Sequence, residues 1–168
     1  MALSYEKISE KLTTTFGSDI LLIEEPYKML TVTVNKDKIY SIAKFLKEDS
    51  EMNFIFLTDI TGIHYPDDAE GEKLGTIYHF HNLVDNVRIR VKAFFPKATP
   101  FIDSLTGLYS GANWMERETF DFFGIIFNNH PNLKRILNVD DMDYHPLRKE
   151  YALEDPTRDD KEDKFFGR

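Results

Sequence analysis

Four ionisable side chains crowd one short stretch of this sequence: Glu116, Arg117, Glu118 and Asp121. Carboxylates set this close can act as a general acid/base pair, or they can be ion-paired structure. At about 100° per residue, Met115, Phe120, Phe122 and Phe123 define an apolar arc, and Glu116 falls inside it. A carboxylate on an apolar face is costly unless paired or hydrogen-bonded, so Glu116 is expected to meet a basic partner, within the fold or on another chain. Arg117 and Asp121 stand at i and i+4 and can pair on the helix surface, in the weaker order. A second constellation is His79-x-His81, two imidazoles on one face of a strand, with His64 available from the strand before. With a carboxylate these could hold a metal and support hydrolysis, but the sequence offers no compact second pair of ligands. There is no cysteine, hence no thiolate nucleophile, thiolate zinc site or cysteine-ligated iron–sulfur cluster. Gly-x-Gly-x-x-Gly, P-loop and nucleophile-elbow motifs are missing as well.

The elements that position these residues can be read from periodicity. Ser4 caps a first helix carrying Tyr5, Ile8 and Leu12, and Gly17 ends it. Residues 19–24 and 29–34 form a strand pair around Pro26. Asn35 caps a second helix whose Ile39, Ile42, Ala43 and Leu46 fall on one side. Three strands follow, at 53–65, 76–83 and 87–95, the first apolar enough in its front half to suggest a central position. Asp85 and Asn86 supply the turn between the last two. In the third of them Val87, Ile89, Val91 and Ala93 alternate with Arg88, Arg90 and Lys92, so the basic face is either solvated or set against an acidic partner. Residues 101–105 read as a short turn, and a third helix runs from about 113 to 123, stopped by Gly124. From Asn138 the periodicity disappears. The expected fold is α+β: a mixed or antiparallel sheet packed by about three helices over 1–137, plus an extended C-terminal tail, 138–168, that docks on a partner.

Length and composition narrow the function. The chain has 168 residues, 42% hydrophobic and 14% aromatic, enough for one well-buried core. A net charge of -8 argues against nucleic acid and against charge-driven docking on anionic lipid. No apolar run approaches the roughly 20 residues needed to cross a bilayer, and the N-terminus has no secretory h-region. The expectation is a soluble, cytoplasmic protein that touches a membrane only through other chains.

Beyond Gly124 the sequence contains His130-Pro131, Lys134-Arg135 and then Ile136-Leu137, and a second step, His145-Pro146-Leu147-Arg148-Lys149, lies further on. Each His-Pro step disfavours helix and fixes an extended or turned path. Together, Glu116-Arg117-Glu118, Asp121, Phe122-Phe123, His130, Lys134 and Ile136-Leu137 have the spacing of a family signature. The chain resembles the 30-kilodalton subunit of respiratory complex I, known as the C subunit of NADH-quinone oxidoreductase in bacteria and as the J subunit in plastids and cyanobacteria. The resemblance covers essentially the whole chain. It departs from the family's usual Gly-His-Pro at both steps, where Asn129 and Tyr144 stand, and at Asn132, where an acid is usual.

This resemblance implies a structural subunit of the quinone-reducing module, without catalytic residues or cofactor of its own, with FMN and iron–sulfur clusters in partner subunits. Its implied partners are a hydrogenase-like large subunit and other peripheral-arm subunits, on the cytoplasmic side of the bacterial inner membrane. Glu116, Arg117, Glu118, Asp121, Phe122, Phe123, His130, Pro131, Lys134, Arg135, His145, Pro146, Leu147, Arg148 and Lys149 become candidate interface residues, and Phe165-Phe166 a candidate anchor. The equivalent subunit of a membrane-bound hydrogenase-type complex is the neighbouring alternative.

Overall fold

The computed structural model describes residues 3–69 and 71–152. Helix α1 (Tyr5–Phe16) starts where the Ser4 hydroxyl accepts the Lys7 N–H, and it stops at Gly17. Strands β1 (Ile20–Glu24) and β2 (Leu30–Val34) form an antiparallel hairpin. The Asn35 side chain accepts the Asp37 N–H and caps a single 3-10 turn, which feeds α2 (Ile39–Glu48). Ile39, Ile42, Ala43 and Leu46 are buried along α2, as the helical spacing requires.

Strands β3 (Phe56–Tyr65), β4 (Lys73–Asn82) and β5 (Val87–Pro96) make an antiparallel meander. The β4–β5 turn uses Asn86 at φ 53°, and the Asn82 side chain accepts the N–H groups of Val84 and Asp85. The five strands are ordered β1-β2-β5-β4-β3, so β2 and β5 pair in parallel at the middle. The sheet is therefore mixed, and the α+β expectation holds.

Strand β3, expected to be central, lies at the edge of the sheet. Its apolar front half has a different use. Asn53, at φ 47°, turns the chain before Phe54, and the buried Phe54 lies outside the strand. Residues 101–105 are not a turn throughout: Phe101–Asp103 is strand β6, paired in parallel with β7 (Ile126–Asn128) on the far side of helix α3 (Ala112–Phe123).

Register explains where the core sits. Leu30, Ile89, Phe80 and Leu57 lie in one row across the sheet, and Val32, Val91, Tyr78 and Ile60 in the next. All eight are buried, and they share one core with Ile8 and Leu12 of α1 and the apolar face of α2. Helix α3 lies against the same face: a Cβ on Gly62 of β3 would collide with the Phe123 ring, and the Thr119 hydroxyl donates to the Ile60 carbonyl. The opposite face, with Arg88 exposed and Arg90 and Lys92 half-buried, carries no helix among the described residues.

Candidate interface: the third helix and the segment it holds

Helix α3 is buried on its polar side. Ala112, Glu116, Arg117, Thr119 and Asp121 are its buried residues, whereas Phe120, Phe122 and Phe123 are only half-buried and Glu118 is exposed. A helix covered from two directions cannot keep the simple amphipathic pattern. The sheet covers one side, and residues 133–150 cover another.

Glu116 has no basic partner among its bonds. Its Oε2 accepts from the Ser104 hydroxyl and its Oε1 from the Leu105 N–H, both at 2.7 Å. The reason is local. After β6 the chain turns at Ser104 and Leu105, so a hydroxyl and a free amide point at α3, and two neutral donors replace the expected cation. Burial pushes the carboxyl up to about 7, and the two donors only partly offset this.

Arg117 and Asp121 do not pair with each other. Arg117 is buried and donates through Nε to the Lys134 carbonyl (3.1 Å) and through Nη2 to the Arg135 carbonyl (3.0 Å). Its guanidinium also stands 5.4 Å from the ring of the exposed Trp114. Asp121 is fully buried and gathers the next stretch of chain. Its carboxylate accepts from Arg135 Nη1 at 2.6 Å, from the N–H groups of Ile136, Leu137 and Asn138, and from the Asn138 side-chain amide. Burial opposes its ionisation, but these donors outweigh it and hold the carboxyl well below the usual carboxylate range. Arg135 completes the knot by donating to the carbonyls of Asp121, Met142 and Tyr144.

The two His-Pro steps serve the same arrangement. His130 donates through Nε2 to the Asn113 carbonyl at the start of α3, while its Nδ1 accepts the Asn132 N–H. Burial lowers the proton affinity of this ring, as it does for His145. Asn129 holds φ 62°, a conformation natural to glycine that Asn tolerates, so its departure from the family pattern leaves the turn intact. His145 donates through Nδ1 to the Asp121 carbonyl, Leu147 N–H to the Phe122 carbonyl, and Arg148 Nε to the Phe123 carbonyl. Helix α3 thus ends with its orphan carbonyls satisfied by chain that returns more than twenty residues later. Lys149 N–H donates to His64 Nδ1, and His64 Nε2 donates to Glu72. Pro131 and Lys134 are exposed, Pro146 is half-buried, and Leu147 turns outward.

The reading of Arg117, Glu118 and Asp121 as one docking surface is therefore corrected. Arg117 and Asp121 are spent inside the chain, holding residues 134–138, and only Glu118 faces solvent. The start of the segment read as a tail, 138–152, is bonded to its own α3 and sheet. Phe165 and Phe166 lie outside the described residues. Sequence reasoning passed over Ser104 and Asn138; a serine after a three-residue strand and an asparagine in aperiodic chain carry no signal of long-range partners.

The histidine reading fails on geometry. His79 accepts from Arg90 Nε and faces Asp59 at 3.6 Å, and His81 bonds Asn86. His64 belongs to the opposite face of the sheet, in register with buried Leu74. Among the described residues one group, His64, Glu72 and Glu150, places ligand atoms within 4.8 Å of one another. The Lys97 ammonium already bonds both of its carboxylates. No helix of the described residues is long and apolar enough to cross a membrane.

Gly124 is the joint of this arrangement. It holds φ 71°, and a Cβ there would stand 2.5 Å from Arg148 Nη2 and from the His145 ring. Gly124→Ala is expected to cost about 1–2 kcal/mol for the left-handed conformation, with overpacking in addition. The His145 and Arg148 side chains would both be pushed off the helix end. Thermal melting with limited proteolysis checks this: a variant that melts normally and shows no new cleavage in 139–150 would refute it.

The model of the family described as "Respiratory-chain NADH dehydrogenase, 30 Kd subunit" matches residues 32–157. The C subunit of NADH-quinone oxidoreductase from Citrifermentans bemidjiense is 43% identical over 149 residues, 89% of this chain and 90% of that protein. The corresponding subunit of a Roseiflexus species is 39% identical over 153 residues, 91% and 87%. Among solved structures, a trypsin-resistant fragment of Nqo5 aligns with a TM-score of 0.64 at 28% identity, covering 75% of this chain and 98% of that one. A chain of an archaeal membrane-bound sulfane sulfur reductase aligns with a TM-score of 0.74 at 22% identity, covering 88% and 85%, which speaks to the fold alone. With its signature residues folded into one internally bonded unit and its matches spanning most of its length, the chain belongs to the 30-kilodalton subunit family of respiratory-chain NADH dehydrogenase.

Proposed function

We propose that this subunit of NADH:quinone oxidoreductase is a structural part of the quinone-reducing module, with no redox centre or catalytic residue of its own. One observation carries the reading: the ionisable groups that could have formed an acid/base cluster are engaged in holding chain. Glu116 binds Ser104 and Leu105, Arg117 binds two carbonyls, and Asp121 organises residues 135–138. The sequence also lacks the thiolates that iron–sulfur clusters normally need. The flavin and clusters then belong to partner subunits.

In this reading the partner is the hydrogenase-like large subunit, on the cytoplasmic side of the membrane. It is met by Trp114 of α3 and by Leu137, Val139 and Leu147, all of them exposed, and by the C-terminal segment 138–168. Large apolar side chains exposed beside a rigid, internally bonded segment suit a protein interface. The membrane-bound hydrogenase-type alternative is not favoured, because the relatives reported above that cover most of this chain at higher identity are NADH-quinone oxidoreductase subunits.

The test is a tagged full chain expressed in its host. It should copurify stoichiometrically with NADH:quinone reductase activity, while the isolated chain contains neither flavin nor iron. A chain truncated after Asn138 keeps the sheet core and the bonds of Asp121 to 136–138, but loses those of His145, Arg148 and Lys149. It should fold, melt several degrees lower and no longer copurify with the large subunit. Stoichiometric recovery of the truncated chain in the complex would sink the docking role of the tail.

A further inference from the structure

The sheet has a second face that no helix of the described residues covers, and its composition is not that of a solvated face. Register lays it out in rows. Arg88, His81 and Phe56 align across β5, β4 and β3. The next row runs Glu24, Thr31, Arg90, His79 and Asp59 across all five strands, and the next brings Leu22, Thr33 and Lys92 together. At the far end Phe94 lies over Gly75 and packs on Tyr65, with ring centroids 5.8 Å apart. Leu22, Phe56 and Tyr65 remain 52%, 47% and 43% exposed on this face.

We propose that this open sheet face is a protein interface whose partner presents an acidic surface with room for aromatic side chains. The proposal rests on the reading of the chain as a subunit, and names a second contact area, distinct from the α3 side. Charge complementarity selects the partner. The chain as a whole carries -8, yet three successive outward positions of its central strand β5 are cations. Acids on the same face stand at its borders. Glu24 takes Lys92, at 3.2 Å, and Asp59 stands 3.6 Å from His79. Arg90 is steadied by His79, at 3.0 Å, and the Arg88 guanidinium has no acidic partner among the described residues. The middle of the face is thus a pre-oriented basic strip flanked by aromatic and aliphatic side chains, the pairing enriched at interface centres. At about 4.8 Å between strands and about 3.3 Å per residue the face spans on the order of 500 Å², a large part of the roughly 800 Å² that each partner contributes to a stable interface.

Site-specific photocrosslinking in the assembled complex decides the matter. Phe56 and Leu22 are each replaced by benzoylphenylalanine in the full-length chain, cells are irradiated, and the crosslinked peptides are sequenced. The expected result is a crosslink from both positions to one other polypeptide, at a segment rich in Asp and Glu. Arg88→Glu, at an exposed position, should lower its yield at least fivefold while leaving the melting temperature of the chain unchanged. Three outcomes overturn the proposal: no crosslink, crosslinks only to residues 153–168 or to a second copy of this chain, or a partner segment without acids. Copurification with quinone reductase activity is scored separately. A crosslink to the acidic surface of some other assembly would sustain the interface and overturn the complex.

Discussion

Asp121→Ala is expected to destabilise the subunit by about 3–5 kcal/mol, the usual cost of removing one partner from a buried ion pair. For a domain of this size that corresponds to a melting temperature lower by roughly 6–20 °C. The loss is large because the carboxylate is fully buried and accepts from Arg135, from three consecutive backbone amides and from the Asn138 side chain. Without it, Arg135 is left with only carbonyl partners, and the amides of residues 136–138 have none in place of the carboxylate. Trypsin should then cut rapidly after Lys134, Arg135 and Lys149. Asp121→Asn keeps the shape but sets an amide N–H₂ among donors, so it should restore little. The acid limb provides a second readout. The folded-state carboxyl is held below its unfolded value, near 3.8, so its stabilisation is complete above that pH and is lost as the pH falls below about 4. A variant melting within 2 °C of the parent, with the same acid limb, would show that the carboxylate is not what holds the segment.

Glu116 should give the opposite slope. Its carboxyl is raised from 4.5 to about 7, so between those values the folded chain keeps a proton that the unfolded chain releases. Stability then falls as pH rises through this window, by about 1.4 kcal/mol per pH unit and about 3 kcal/mol in all, and levels off above pH 7. Glu116→Gln removes the titration while still accepting from Leu105 N–H. Melting curves of the two proteins should converge near pH 4.5 and differ most at pH 8, where the Gln form melts roughly 6–12 °C higher. Curves that run parallel from pH 4.5 to 8 would show that Glu116 does not titrate in this range. Glu116→Ala, in contrast, strands the Leu105 amide and leaves a void, and it should melt lower than the parent at every pH.

The local signals in the sequence identified every element whose residues repeat. Ser4, Gly17, Asn35 and Gly124 stand at helix boundaries because caps and left-handed stops are local chemistry. The alternation of β5 gave its buried and basic faces correctly. The parallel pair of β6 and β7 escaped detection because three residues carry no period, and the partner strand lies beyond a helix. The edge position of β3 was equally hidden, since an apolar run reports burial and not neighbours. The misplaced carboxylate was legible at Glu116, and its need for a partner was right. The partner's chemistry was wrong, because Ser104 and Leu105 reach it only through the turn after β6. Arg117 and Asp121 look like a surface pair on a helical wheel. They became internal once residues 133–150 came back over them, a path no local pattern records.

The parallel seam between β2 and β5 has a consequence for how the chain assembles. Leu30 and Ile89, its first partners, are 59 positions apart, whereas Asn82 and Val87 close the β4–β5 hairpin over five. Loop-closure entropy makes the seam costlier by about 2 kcal/mol, before any contact in it is made. During synthesis, then, Leu30, Val32 and Val34 of β2 are made dozens of residues before the β5 residues they pair with. The pieces that can shield those residues in the interval are already made: α1 and α2 both precede β3 in the chain and contribute Ile8, Leu12, Ile42 and Leu46 to the same core. The order of elements along the chain thereby makes the apolar cover of β2 available before β5 is made.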